Sequence, residues 1–491
     1  MRILQVSAEL FPLLKTGGLA DVTGALPLAL AAAGADARVL LPAFPAIAAG
    51  VADARPVATF HAPWGEPALL RFGYIDGGAG RLLPTYLIDS PGLYDRPGNP
   101  YEGPGKQPYG DNHRRFAMLG WAASLLAQGL DPLWRPELLH AHDWHAGLAP
   151  AYLAFARQRG QGADVRSVFT IHNLAYQGQF GGWAFAELGL PPEAFQVEGL
   201  EYHGDVSFMK AGLYYADRIT TVSPTYAQEI QTPEQGFGLD GLLRARSGAL
   251  HGILNAVDET VWSPATDTHL AQRFSMPEGR RMAGKTRCKA ALQHELGLAV
   301  DERAPLFIVV SRLTEQKGLH LVLGGIDALL EQGGQLAVLG SGDAWMEQAF
   351  RDHAAAQPKR IAARIGYDEP LAHRLFGGAD VVMVPSRFEP CGLTQMYGLR
   401  YGALPLVHRV GGLADTVVDC ALENMAEGTA TGFVFERFEG DAFARALRRA
   451  FALYARPADW RRVRATAMRR PADWGTAAEH YLTVYQEALA H

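Results

Sequence analysis

Cysteine is scarce in this chain, and the three present, Cys288, Cys391 and Cys420, are odd in number and far apart. That excludes a disulfide framework and a clustered cysteine zinc site, and it makes a reducing cytoplasm the expected home. Long apolar runs are also missing: nothing approaches 18 unbroken apolar residues, and the opening "MRILQVSAEL" reads as a strand without the apolar stretch of a secretory leader. Neither export nor membrane insertion is expected. A basic excess is absent as well, with 45 Lys and Arg against 51 Asp and Glu, a net charge of −6. A dedicated binder of nucleic acid or of anionic lipid needs a broad basic surface, so both classes are excluded while a local cationic pocket remains open.

What the chain has in quantity is alternation. Its 491 residues, 48% hydrophobic and 20% charged, suit a soluble protein of two or three domains. Short apolar runs ending in glycine or polar turns alternate with longer amphipathic stretches, the pattern of βα units around a parallel sheet. The first series places strands at Arg2 to Ser7, Ala37 to Pro42, Leu138 to His142, Arg166 to His172 and Asp217 to Ser223. A helical run reaching Ala33 follows the first strand, with Pro27 predicting either a kink or a late start. A second series starts near Pro305 with "LFIVVSRL" and continues through "QLAVLGSGD", "IAARIGY", "ADVVMVPSRFEP" and "LPLVHRVGG". Between them "NAVDETVWSP" (Asn255 to Pro264) has the composition of a linker. The boundaries expected are residues 1–256 and 257–473, with the last helix, 474–491, rejoining the first domain, although its composition alone suits a cap on either. The stretch Ser90 to Asn112, rich in Gly, Pro and Tyr, reads as a long loop, and loops of this length inside a domain are usually functional or mobile.

One phrase occurs once in each series: "KTGGLADV" at Lys15 to Val22 and "VGGLADTV" at Val410 to Val417. Neither copy has the G-x-G-x-x-G or the P-loop spacing. Each follows a strand and opens a helix, so the glycine pairs Gly17–Gly18 and Gly411–Gly412 are placed to bring backbone N–H groups against an anion. "SRLTEQKGL" sets Arg312 and Lys317 directly after a buried strand, where α/β proteins bind ligands, and two cations there suit a pyrophosphate. "SRFEPCGLTQ" carries Glu389, Cys391, Gly392 and Thr394. Its carboxylate is either a helix cap or an acceptor of sugar hydroxyls beside a phosphate. "HAHDWHAG" has the look of a metal site, but the alternation puts His140 and His142 on one strand face with no fourth ligand near, and Asp143 reads as lining a cleft instead. His172 ends the strand "RSVFTI" in the same region. No Asp-x-Asp occurs anywhere, although nucleotide-sugar transferases that use a divalent metal generally display that pair. No metal and no cofactor are therefore expected.

These phrases together with "FTIHNLAYQG", "GILNAVD" and "SRFEPCGLTQMYGLRYG" resemble the bacterial glycogen synthase and plant starch synthase family from the first strand to the final helix. The resemblance implies an α/β fold of the GT-B type, two Rossmann-like doubly wound domains facing a deep cleft. The implied activity is transfer of glucose from ADP-glucose to an α-1,4-glucan (glycogen or a maltooligosaccharide) with retention of configuration. It further implies Lys15 and the Gly18 backbone at the donor phosphates, Arg312 and Lys317 as the diphosphate pair, and Glu389 as the holder of the donor glucose. Cys391 and Gly392 stand beside that carboxylate, and Thr394 nearer the phosphates and ribose. Asp143, His172 and Asn255 are implied near the transferred sugar and Tyr367 beside adenine, with Gly411 and Gly412 as the second glycine contact. The catalytic set is then Glu389, His172, Arg312, Lys317 and Asp143. Tyr397 stands where the broader GT-B pattern has a second glutamate eight residues on, which removes a two-carboxylate mechanism.

Overall fold

The apolar runs become parallel strands buried on both faces, which is why they read as continuous hydrophobic segments rather than alternating ones. A computed structural model describes residues 1–78, 80–276 and 282–490, in two units: Met1–Asn255 with Trp474–His491, and Ala256–Asp473. The strands of the first unit are β1 (Arg2–Val6), β2 (Asp36–Pro42), β3 (Ala52–His61), β4 (Pro67–Asp76), β5 (Leu82–Asp89), β6 (Leu138–His142), β7 (Arg166–Ile171), β8 (Gln179–Phe180), β9 (Glu201–Tyr202), β10 (Asp205–Ser207), β11 (Arg218–Thr221) and β12 (Leu250–Gly252). Nine of them form one sheet in the order β12-β11-β7-β6-β1-β2-β5-β4-β3, and β8-β10-β9 form a small antiparallel sheet. From β12 to β5 every neighbour is parallel; β4 and β3 add an antiparallel edge.

That edge went unread in the sequence because its strands are half-exposed, carry Pro56 and Pro67, and lack a continuous apolar run. Pro56 is tolerated because β3 is the outermost strand, where a missing N–H costs no ladder bond. The helix Gly18–Ala32 starts at the glycine and runs through Pro27, so a late start is excluded. The stretch Ser90 to Asn112 is a helical turn, Pro91–Tyr94, followed by irregular backbone up to the helix Asn112–Ala127. The buried Arg115 tethers it, donating to the carbonyls of Leu93 (2.8 Å) and Pro100 (2.7 Å).

The second unit contains β13 (Leu306–Val310), β14 (Gln335–Gly340), β15 (Ile361–Ile365), β16 (Val381–Val384), β17 (Leu404–His408) and β18 (Phe433–Phe435), all parallel in the order β15-β14-β13-β16-β17-β18. Counted from β13 this is 3-2-1-4-5-6, the Rossmann order. Strand side chains such as Phe307, Val338 and Met383 pack with Ile326, Phe443 and Leu447 of the flanking helices into its core. Just ahead of β16, the buried Asp380 binds Lys289 (2.7 Å), Arg464 (3.3 Å) and the Leu306 N–H (3.0 Å). Burial works against its charge, but these partners hold the carboxyl below the usual range. The linker joins this unit too: Trp262 is sandwiched between His373 (3.8 Å, 5°) and Tyr397 (4.0 Å, 13°).

Candidate active site

Strand order reverses between β1 and β6 in the first unit and between β13 and β16 in the second. Ligands of open α/β sheets bind at the carboxyl ends of the strands flanking such a reversal. Most of the residues singled out in the sequence follow these four strands.

After β1 the chain loops back on the buried Glu9. Its carboxylate accepts from the Thr16 N–H (2.6 Å), the Thr16 hydroxyl (2.5 Å) and the Tyr101 hydroxyl. This clasp presents Lys15, Thr16, Gly17 and Gly18 at the surface, with Lys15 Nζ 2.8 Å from Asp21. No side chain caps the helix Gly18–Ala32, and a Cβ built on Gly17 or Gly18 would meet nothing within 4 Å. Its first N–H groups are therefore accessible to an anion. Glu9 and Tyr101 escaped the sequence reading: a lone glutamate after a strand carries no spacing signal, and Tyr101 arrives from the long loop.

Past β6, Asp143 adopts φ 61° and ψ 179°, a region few residues other than glycine enter. Its side chain is buried, Oδ1 has no partner, and burial pushes its pKa up to about 8 against the pull of the His172, Asn173 and Trp144 N–H groups. The group is thus largely a neutral carboxylic acid at pH 7. His172 lies 3.0 Å from His142, and burial pushes its pKa down to about 3, so it is a neutral imidazole. Every ring nitrogen of His140 and His142 is bonded to a neighbouring side chain, and among the described residues no group of three or more His, Cys, Asp and Glu forms a metal site. Asn255 is buried with Oδ1 unpartnered, and it follows β12, three strands from β6.

Beside Trp144 opens a groove of about 630 Å³ lined also by Tyr176, Gln177, Gly178, Gln179, Tyr202 and Phe237. Aromatic walls meet a half-buried amide here: Gln177 donates to the Phe237 carbonyl (2.9 Å), while its occluded Oε1 has no partner. Phe237 belongs to "GFGLDG" (Gly236 to Gly241), which does have the G-x-G-x-x-G spacing. It follows the helix Pro224–Glu229 rather than a strand, so the context that would make it a dinucleotide loop is missing.

In the second unit Arg312 is exposed just past β13, and Lys317 sits in the turn before the helix Leu319–Glu331. Lys317 Nζ lies 2.6 Å from Glu389 Oε2, which also accepts from the Ser386 hydroxyl (2.9 Å). Ser386 is fixed in turn by His408, which donates from Nδ1 to its carbonyl (2.8 Å). Gln316, missed in the sequence, ties the two loops together. It donates to the Phe388 carbonyl (3.0 Å), accepts the Arg387 N–H (2.8 Å) and takes a hydrogen bond from Arg312 (3.1 Å). Cys391 is buried and Gly392 takes φ 73° before Thr394 opens the helix Thr394–Tyr401. Tyr367, 77% exposed, follows β15, two strands from β13.

The two glycine phrases differ in structure. A Cβ on Gly411 would stand 2.0 Å from the Glu389 carbonyl oxygen, and one on Gly412 2.1 Å from that of Cys391. The Gly412 N–H is already given to the Glu389 and Pro390 carbonyls (3.1 Å each). The second copy thus packs on the Glu389 loop, whereas the first lies open.

Comparison with known proteins matches residues 2–245 to the starch synthase catalytic domain and residues 296–464 to the glycosyl transferases group 1 domain. Over its whole length the chain is 71% identical to a glycogen synthase of Variovorax paradoxus, covering 99% of that protein. It is 56% identical to a glycogen synthase of Serratia proteamaculans, with 99% of each covered. The chain belongs to the glycogen and starch synthase family. It is a GT-B glycosyltransferase. The catalytic domain of Arabidopsis thaliana starch synthase IV, solved with ADP and acarbose, superposes with a TM-score of 0.86 at 30% identity, covering 100% of this chain and 99% of that one. A sucrose-phosphate synthase from Thermosynechococcus elongatus shares the fold alone, at a TM-score of 0.58 and 16% identity over 100% of this chain and 99% of that one. In this chain the starch synthase match spans Lys15, Gly18, Asp143 and His172, and the group 1 match spans Arg312, Lys317, Tyr367, Glu389 and Gly412. Among the described residues no helix is long and apolar enough to cross a membrane.

Proposed function

We propose that this protein is a cytoplasmic glycogen synthase that moves glucose from ADP-glucose to the non-reducing 4-hydroxyl of an α-1,4-glucan with retention, releasing ADP. The observation that carries the reading is the arrangement at the β13/β16 reversal, where Arg312 stands beside a Lys317–Glu389 pair held at 2.6 Å. Two cations suit a diphosphate, and a carboxylate fixed through one oxygen suits a sugar hydroxyl at the other. In the first unit, Lys15 and the open N-terminus of the helix Gly18–Ala32 suit an anion, and the aromatic groove around Trp144 is assigned to the glucan.

The chemistry follows from what these groups can stabilise. The bond between glucose C1 and the diphosphate breaks towards an oxocarbenium-like state, and negative charge grows on the departing ADP. Fixed cations and backbone dipoles lower the energy of that charge most when it is fully developed. The departing oxygen takes the proton of the incoming 4-hydroxyl, which attacks from the face ADP vacates, so configuration is retained without a protein nucleophile. Glu389, His172 and the neutral Asp143 hold the glucose ring, and Tyr367 offers an exposed ring to adenine.

The test is incubation with ADP-glucose labelled in the glucose, with glycogen as acceptor and UDP-glucose in parallel. Label should enter α-1,4-linked polymer, with the adenine donor favoured. Label remaining in nucleotide sugar or appearing only as free glucose would defeat the reading.

A further inference from the structure

Behind His172 runs a chain of buried polar side chains that ends on the C-terminal helix. His172 Nε2 meets His142 Nδ1 at 3.0 Å, and His142 Nε2 meets Gln5 Oε1 at 2.6 Å. Gln5 Nε2 donates to the Tyr485 hydroxyl (3.1 Å), which lies 2.7 Å from His140 Nδ1. His140 Nε2 lies 2.6 Å from Thr170 Oγ1, itself bonded to Thr220. Gln5, His140, His142, Thr170 and Thr220 are fully buried on β1, β6, β7 and β11, and Tyr485 is buried on the helix Trp474–Leu489.

In such a chain each donor must face an acceptor, so one orientation propagates through the whole. Gln5 turns its carbonyl to His142, and a carbonyl only accepts, so His142 carries its proton on Nε2. Burial keeps His142 neutral, which leaves its Nδ1 bare to accept from His172 Nε2–H. Burial likewise keeps His172 neutral, so its own Nδ1 is a bare acceptor. On the other side Gln5 gives its N–H to Tyr485, Tyr485 its O–H to His140, and His140 its Nε2–H to Thr170. Rotating the Gln5 amide by half a turn reverses every one of these bonds and makes His172 Nδ1 a donor.

We infer that Tyr485 and Gln5 are positioning residues that set which proton His172 carries, so that it presents a hydrogen-bond acceptor to a hydroxyl of the transferred glucose. The inference rests on the proposed place of His172 at that sugar. It gives the final helix a part in the reaction: its tyrosine accepts the Gln5 N–H and passes its own O–H to His140, so it links the two halves of the chain. Phenylalanine at 485 keeps the ring and removes that link.

The tautomer is read directly from the ring nitrogens of ¹⁵N-histidine-labelled protein by long-range ¹H–¹⁵N NMR, with His172→Ala identifying the signals. Wild-type His172 should be neutral with its proton on Nε2; a proton on Nδ1 overturns the inference outright. Tyr485→Phe and Gln5→Leu should each give a mixture of tautomers and lower kcat about tenfold, the scale of one hydrogen bond, while KM for ADP-glucose stays within about twofold. A fall in kcat or thermal stability with the tautomer unchanged would mean that the chain only supports the fold, and would overturn the inference. Full activity in His172→Ala would instead remove the underlying assignment of His172. That failure is distinguishable, because the tautomer shift in Tyr485→Phe would persist.

Discussion

Arg312 and Glu389 lie on neighbouring loops joined through Gln316, yet they should fail differently when removed. Arg312→Ala should lower kcat/KM by about 10² or more, because charge on the leaving diphosphate grows towards the transition state and a fixed donor there is worth a few kcal/mol. Glu389→Ala should lose kcat through a misplaced glucose ring, and it also strips Lys317 of its partner. A donor with a better leaving group should partly rescue the first variant and leave the second little improved; equal rescue would refute this division of labour. Asp143 carries a prediction about pH. Its pKa is raised to about 8 in the fold, against about 3.9 in an unfolded chain, so between those values the native state binds more protons. Stability contributed at this site is therefore highest below about pH 4 and is lost as pH rises towards 8. Asp143→Asn removes the titration, so its melting temperature relative to wild type should climb from pH 5 to pH 8, by at most about 2–4 °C for each kcal/mol. Parallel curves for the two proteins across that range would show that the carboxyl is not held neutral.

At the scale of elements, the repeated glycine phrase has two different surroundings, and substitutions separate them. Gly17→Ala meets no neighbour, so stability should change by no more than about 1 kcal/mol while donor binding suffers from the methyl group over the exposed N–H groups. Gly412→Ala would drive a methyl into the Cys391 backbone, 2.1 Å from its carbonyl oxygen. Backbone cannot yield as a side-chain tip does, and the loop that carries Glu389 would have to move. That variant should lose several kcal/mol in denaturant unfolding of the second unit, on the order of the larger core defects. Equal stability of the two variants would contradict the structural distinction.

For the molecule as a whole, charge on the diphosphate is assigned to Arg312, Lys317, Lys15 and helix N-termini. Activity should therefore survive exhaustive EDTA treatment. Loss under EDTA with recovery on adding Mn²⁺ would overturn that assignment, which is motivated by the missing Asp-x-Asp.

Much of this was legible in the sequence because the information is local. The buried parallel strands are continuous apolar runs, and Arg312, Lys317, Glu389, Asp143 and His172 each follow one within a few residues, so strand ends and site residues could be named together. The recurrence of βα units pointed to two α/β domains, and the resemblance of the ordered phrases to the family implied the GT-B arrangement. The antiparallel edge β3–β4 and the three-residue β18 escaped because half-exposed or very short strands leave no such run. What tertiary structure alone decided are pairings between residues far apart in the chain: Tyr101 on Glu9, Gln316 between two loops, Gly412 against Cys391, and Tyr485 on Gln5, 480 residues away. Spacing encodes which face of an element a side chain occupies. It does not encode which distant donor meets a buried acceptor, because that follows from the order in which strands and helices pack, and the packing is set by the whole chain.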